Sequence, residues 1–237
     1  ENDGSSTPFS DADGQTISTS ISSPQDVAAA DIDGDGDPDL VAASDGDGEV
    51  VWYENETGDA EEDGDGFGSA VSISGPGSAP DVDGISVGDV DGNGTLDVVS
   101  VSSGDDTVEW YSNTAGNGTN WTTTSVATGV TGDDDGVLNT VATADLDEDG
   151  DTDVLTSSDV DGTVAWYEND GGDGASWTTT SITTNATNVG TVVPANLDGD
   201  ADLDVLFTAN TTDRVAWVEN TGGGTFSNSE SLVTTRP

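Results

Sequence analysis

Nine residues from Asp31 to Asp39, DIDGDGDPD, carry carboxylates at loop positions 1, 3, 5, 7 and 9. Acidic or amide side chains at positions 1, 3, 5 and 9 recur from Asp89 (DVDGNGTLD), Asp145 (DLDEDGDTD) and Asn196 (NLDGDADLD). Carboxylates packed this closely repel one another, and a hard cation among them relieves the repulsion. A donor set of oxygens without nitrogen or sulfur selects calcium over softer metals. The first loop would hold one ion through Asp31, Asp33, Asp35 and Asp39, with the Asp37 carbonyl and water filling the shell. The second offers Asp89, Asp91, Asn93 and Asp97 with the Thr95 carbonyl, and the third Asp145, Asp147, Asp149 and Asp153 with the Asp151 carbonyl. The fourth offers Asn196, Asp198, Asp200 and Asp204 with the Asp202 carbonyl. Glu148 replaces the early glycine of the third loop, and Ala201 the late glycine of the fourth, which also opens on an amide. The fourth loop is therefore expected to bind most weakly. The competing reading is that these are solvated acids of an acidic surface; recurrence at fixed positions between two apolar runs favours the ion.

The elements that position these loops must repeat with them. Loop starts fall 58, 56 and 51 residues apart. Beyond each loop comes a second marker: Trp52-Tyr-Glu-Asn55, Trp110-Tyr-Ser-Asn113, Trp166-Tyr-Glu-Asn169 and Trp217-Val-Glu-Asn220. A turn rich in Gly, Asn and Asp follows, then an aromatic residue opening a Ser/Thr/Val segment: Phe67, Trp121, Trp177 and Phe226. Short apolar runs before and after the loop, the Trp-bearing run and the Ser/Thr run make four strand-like segments per repeat. No segment sustains a helical apolar period. Four strands in roughly 50 residues is the signature of a propeller blade. The expectation is an all-β propeller of four-stranded antiparallel blades, at residues 24–75, 76–129, 130–187 and 188–237. The acidic loop would be the turn from first to second strand.

The DxDxDGxxD loop followed by a WYEN strand resembles the FG-GAP or VCBS repeat family, which supplies calcium-binding blades to integrin-alpha-type propellers and many microbial surface proteins. The resemblance runs from about Pro24 to Val233. It implies about one structural calcium ion per blade. It also implies a non-enzymatic, secreted or cell-surface protein used in adhesion or extracellular assembly, with other surface proteins, glycans or copies of itself as partners.

Glu1-Asn2-Asp3-Gly4 matches Glu168-Asn169-Asp170-Gly171, and Phe9 with Ile17 to Ile21 matches Trp177 and its Ser/Thr strand. Residues 1–23 thus read as the tail and orphan fourth-type strand of a preceding or neighbouring blade, in a chain without a methionine start. Three explanations stay open: a piece of a longer propeller, a strand that completes a blade in a neighbouring subunit and so builds an oligomer or filament, or a ring closed by displacing the C-terminal strand.

The formal net charge is −47, and Arg214 and Arg236 are the only basic residues. High charge with 31% hydrophobic content ordinarily signals disorder, but the regular strand runs argue for a folded protein of an extreme halophile. At molar salt the Debye length falls to about 3 Å, which screens surface repulsion. Cysteine and histidine are absent, removing disulfides, thiolate chemistry, the commonest general base and the commonest transition-metal ligand. No apolar run reaches the length of a membrane span, and the charge disfavours nucleic acid.

Acidic clusters at Asp59 to Gly66, Asp81 to Asp83 and Asp133 to Asp135 do not recur in register and read as solvated loops. Asn55, Asn117, Asn120, Asn185 and Asn210 head Asn-x-Thr sequons and are candidate glycosylation sites on an exported chain. Two other functions compete with adhesion and assembly. A lectin would use Trp52, Trp110 and Trp166 as stacking rings, although their place in a repeating strand favours packing between blades. A lyase or hydrolase on the propeller scaffold would lack histidine and lysine, and no carboxylate pair stands apart from the loops.

Overall fold

A computed structural model describes residues 16–56, 66–130, 138–159, 162–183 and 186–235. Branched and aromatic side chains pack well on a pleated surface, so the Val- and Thr-rich runs form strands wherever Gly, Asp and Asn bound them. The first sheet contains β1 (Pro24–Ala30), β2 (Asp39–Ser44), β3 (Glu49–Tyr53) and β4 (Val71–Ser72). The second contains β5 (Val82–Gly88), β6 (Asp97–Ser102), β7 (Thr107–Asn113) and β8 (Trp121–Thr128). The third contains β9 (Leu138–Ala144), β10 (Asp153–Ser158), β11 (Val164–Asn169) and β12 (Trp177–Thr183). The fourth contains β13 (Val189–Ala195), β14 (Asp204–Ala209), β15 (Arg214–Asn220) and β16 (Phe226–Thr235). Each sheet is antiparallel with its strands side by side in chain order. No described helix is long and apolar enough to cross a membrane.

The first strands pack in succession, β1 on β5, β5 on β9 and β9 on β13, which arranges the sheets as blades of a β-propeller. No contact of that order joins β13 back to β1 among the described residues, so the four blades form an open arc. The core lies between blades. Three apolar clusters each span two neighbours; one joins Trp52 and Ile32 of blade 1 to Val82, Ile85 and Tyr111 of blade 2.

The Trp of each of the first three blades reaches into the next. Trp52 Nε1 donates to the Gly118 carbonyl at 2.9 Å, and a Cβ at Gly118 would lie 2.2 Å from the indole. Trp110 lies under Gly174, and Trp166 under Gly224, in the same way. All three rings are buried. They are packing elements and offer no stacking surface to a sugar.

Ile17 to Ile21 belong to no sheet among the described residues, so the orphan strand expected there is not formed in its described part. Ile21 nevertheless packs on Ala42, Val51 and Tyr53, and Ser22 N donates to Ser44 Oγ and Asp47 Oδ2. Phe9, the Asp59 and Asp133 clusters and Asn185 lie outside the described residues, apart from Gly66 at the end of the first cluster. Asp83 is not a solvated acid: it lies half-buried in β5, accepts a hydrogen bond from Ser103 N at 3.0 Å, and burial raises its pKa.

Candidate metal centre

Each acidic loop joins the first and second strands of its blade. The position-9 aspartate opens the second strand opposite the last residue of the first: Asp39 pairs with Ala30, Asp97 with Gly88, Asp153 with Ala144 and Asp204 with Ala195. Register therefore fixes both ends of the turn. Between them the loop curls so that backbone N–H groups point inward at carboxylates. In the first loop Gly36 N donates to Asp31 Oδ2 at 3.1 Å, Asp35 N to Asp33 Oδ1 at 3.2 Å and Ile32 N to Asp39 Oδ2 at 2.9 Å. The second and third loops repeat this, with Gly94 N on Asp89, Gly150 N on Asp145, Val90 N on Asp97 and Leu146 N on Asp153.

The curl gathers positions 1, 3 and 9. Carboxylate oxygens of Asp31, Asp33 and Asp39 lie within 4.8 Å of one another, as do those of Asp89, Asp91 and Asp97, and those of Asp145, Asp147 and Asp153. A cation bound at about 2.4 Å to each ligand holds its oxygens no more than about 5 Å apart, so three triads have the dimensions to hold metal ions. At position 5, Asp35, Asn93 and Asp149 turn a side-chain oxygen onto the position-7 N–H at 2.9, 2.7 and 2.9 Å. In the fourth loop Asp198, Asp200 and Asp204 form no such triad among the described residues. Asn196 Oδ1 accepts from Gly199 N at 2.8 Å, as Asp31 Oδ1 does from Gly34 N at 2.9 Å.

Two atoms test whether the loops suit an ion. Asp89 Oδ1 and Asp145 Oδ1 are buried and accept no hydrogen bond, although the other oxygen of each carboxylate accepts one. A buried carboxylate oxygen without a donor is costly. Both belong to position 1, where the sequence places a ligand. Burial also works against ionisation at position 9, raising Asp97 and Asp153 to about 6 in spite of the donors around them. Desolvation raises Asp33, Asp39 and Asp147 too, with neighbouring carboxylates adding to it. A divalent cation at the triad would reverse these penalties by favouring the charged form.

The loops are also held from outside. Asn113 Nδ2 donates to the Ile32 carbonyl at 2.8 Å, Asn169 Nδ2 to the Val90 carbonyl at 2.8 Å and Asn220 Nδ2 to the Leu146 carbonyl at 2.6 Å. Each bond runs from the Trp-bearing strand of one blade to position 2 of the preceding blade's loop. The same asparagines donate backbone N–H to the position-9 aspartate of their own blade: Asn113 to Asp97, Asn169 to Asp153 and Asn220 to Asp204. One residue thus ties two loops together. Sequence reading used these asparagines only as markers; their unvarying place after the Trp strand was the signal that could have revealed the role.

Among the sequon asparagines, Asn117, Asn120 and Asn210 are exposed. Asn55 Nδ2 is engaged, donating to the Pro38 carbonyl at 2.9 Å.

The family model described as FG-GAP-like repeat matches residues 31–100, 89–156 and 145–207. No curated protein matches the chain in sequence. Among solved structures, a lectin of Agrocybe aegerita described as recognising non-reducing terminal N-acetylglucosamine is 22% identical with a TM-score of 0.59, over 87% of this chain and 51% of that one. The structure of BBS1N in complex with ARL6DN is 11% identical with a TM-score of 0.54, over 92% of this chain and 60% of that one. At these identities the likeness is one of fold. The chain spans between half and three fifths of the solved chains it resembles.

Proposed function

The chain belongs to the FG-GAP-like repeat family, and from that premise we propose a non-enzymatic, calcium-stapled extracellular protein serving adhesion or assembly in a salty medium. The observation that carries the metal reading is the pair of orphaned, buried position-1 oxygens, Asp89 Oδ1 and Asp145 Oδ1, each inside a triad. Calcium suits such sites because it accepts six to eight oxygens in flexible geometry. Asp31, Asp33 and Asp39 and their counterparts would supply carboxylates. The carbonyls of Asp37, Thr95 and Asp151, together with Asp35, Asn93, Asp149 and water, would fill the shell. The fourth loop, with Asn196, Asp198, Asp200, the Asp202 carbonyl and Asp204, would bind last. Bound ions would add about 1.4 kcal/mol per site for each tenfold excess over the dissociation constant.

A net charge of −47 supports a high-salt setting, where screening leaves the blades free to pack. Exposed Asn117, Asn120 and Asn210 would carry glycans if the chain is exported. Melting in molar sodium chloride, with and without a calcium chelator, tests the staple. A fall of 10 °C or more on chelation is expected, and an unmoved melting temperature would refute it.

One observation favours carbohydrate recognition as a second reading. A cleft between the outer strands of blades 3 and 4 is lined by Thr180, Ser181, Thr183, Phe226, Ser229 and Glu230, a hydroxyl-rich wall with one aromatic ring and one carboxylate. The lectin of similar fold makes N-acetylglucosamine a natural probe. Calorimetric titration that detects binding, and loses it in Phe226→Ala, would support this reading; absence of heat at millimolar sugar would remove it.

A further inference from the structure

Each acidic loop has a neighbour on its own blade that lies outside the nine-residue run. Asn55, Asn113 and Asn169 donate backbone N–H to the position-9 aspartate of their blades at 2.8, 2.8 and 2.9 Å. That bond fixes the third strand against the loop, so the residue just before each asparagine stands at the same register in every blade. In blade 2 this residue is Ser112, which is buried and donates its Oγ to Asp91 Oδ2 at 3.1 Å. A side chain at this register therefore reaches the position-3 carboxylate, one corner of the triad. In blades 1 and 3 the register is held by glutamates, Glu54 and Glu168. Ser112 pairs with Thr122 and Glu168 with Thr178, each one residue along from the tryptophan that opens the outer strand, so the two blades are in step here.

Glu168 is partly buried, and burial together with the Asp147, Asp170 and Asp149 carboxylates raises its pKa. The position-7 carboxylate of that loop is turned elsewhere: Asp151 Oδ1 lies where a Cβ at Gly172 would come within 2.1 Å of it. Arg214, the one basic side chain among the described residues, pairs with Glu230 on blade 4. A cation that relieves the repulsion between Glu168 and the loop must therefore come from solution.

We propose that Glu54 and Glu168 supply a further carboxylate to the first and third metal centres, and that Ser112 leaves the second centre without one. This rests on the calcium reading of the loops and ranks them. With positions 1, 3, 5 and 9 and this register taken together, the first and third loops have five carboxylates each, and the second has three because Asn93 also replaces an acid. Ligand charge sets calcium affinity in oxygen sites, and ligand number sets the preference over magnesium, which keeps an octahedral shell and several waters. The first and third loops should bind calcium about tenfold more tightly than the second and exclude magnesium better. Glu219 holds the register in blade 4, whose loop gathers no triad among the described residues.

Two opposite substitutions test this by calorimetric titration of calcium into the chelator-stripped chain at constant molar salt. Glu168→Gln should weaken one strong site about tenfold. Its metal-free melting temperature should hold or rise, since a carboxylate leaves a crowded acidic group. Glu54→Gln should repeat this in the first loop. Ser112→Glu should tighten the site that Asp89→Ala abolishes, while metal-free melting falls with the lost bond to Asp91 and the added charge. A glutamate with a structural role alone would move the melting temperature and leave affinity where it was. Parental affinity at every site in both glutamine variants overturns the proposal, as does a folded Ser112→Glu chain that tightens nothing; either result leaves calcium in the loops standing. A chain that takes up no calcium overturns this inference and the calcium reading together.

Discussion

The first three acidic loops and the fourth share a spacing and the same backbone bond from position 2 to position 9, yet only three of them gather a carboxylate triad. The difference begins in the loop, which opens on Asn196 where the other three open on a carboxylate, and the neighbour differs as well. Ile32, Val90 and Leu146 are buried under a following blade whose asparagine grips their carbonyls, while Leu197 is exposed. Sequence adds to the contrast. Asn196 supplies one neutral oxygen in place of a carboxylate, and Ala201 holds a φ of 103° that glycine adopts more readily. The first three loops thus differ from the fourth both in their first residue and in having a following blade that holds their position-2 carbonyl.

Deleting position 9 should separate the two kinds of loop most widely. Asp97 accepts from Val90 N, Asn113 N and Trp110 Nε1 and completes a triad. Asp97→Ala should cost about 4 kcal/mol in calcium, from orphaned buried donors and a lost ion. Asp204 accepts from Leu197 N and Asn220 N but joins no described triad, so Asp204→Ala should cost about half as much. Urea unfolding at constant salt measures both, and equal losses would erase the distinction.

Acidity gives the next contrast. In the metal-free chain burial raises Asp97 and Asp153 to about 6, above the 3.8 of an ordinary aspartate. Between those values the unfolded chain binds fewer protons, so stability falls as pH rises from about 4 to about 6. Each group contributes about 2–3 kcal/mol to that fall at most. Saturating calcium reverses the slope, because only the ionised carboxylates bind it. Melting curves across this range, with and without calcium, should cross; parallel curves would argue against ions at position 9.

The grip itself is open to mutation. Asn169→Ala should cost about 2 kcal/mol and weaken calcium binding in the second loop, because the Val90 carbonyl loses its donor across the interface. A variant that loses stability but keeps the affinity of that loop would make the asparagine a packing residue alone. The smallest effect is a gain. Ala201→Gly should stabilise the chain by about 1 kcal/mol by relieving the left-handed backbone, measured again by urea unfolding.

The blades were legible in the sequence because their apolar and Ser/Thr-rich runs are bounded by turn residues, and because the loop and the Trp strand recur in phase. At position 5, Asp35 and Asp149 turn one oxygen toward the backbone of their own loops, a choice decided by local hydrogen bonds that spacing does not reveal. The bond from Asn113 to Ile32 joins residues of different repeats, and its geometry exists only once the blades are stacked. Trp52, Trp110 and Trp166 showed the limit from the other side: their residue type suits sugar stacking, and burial under the next blade's glycine settles their use.

Calcium titration by calorimetry into the chelator-stripped chain, at constant molar salt, bears most directly on the loops. Three equivalents should bind well ahead of a weak fourth, and each Asp→Ala change at position 1 of the first three loops should remove one of the three. Four equal sites would contradict the distinction between the first three loops and the fourth, and no calcium uptake would contradict the metal centres altogether.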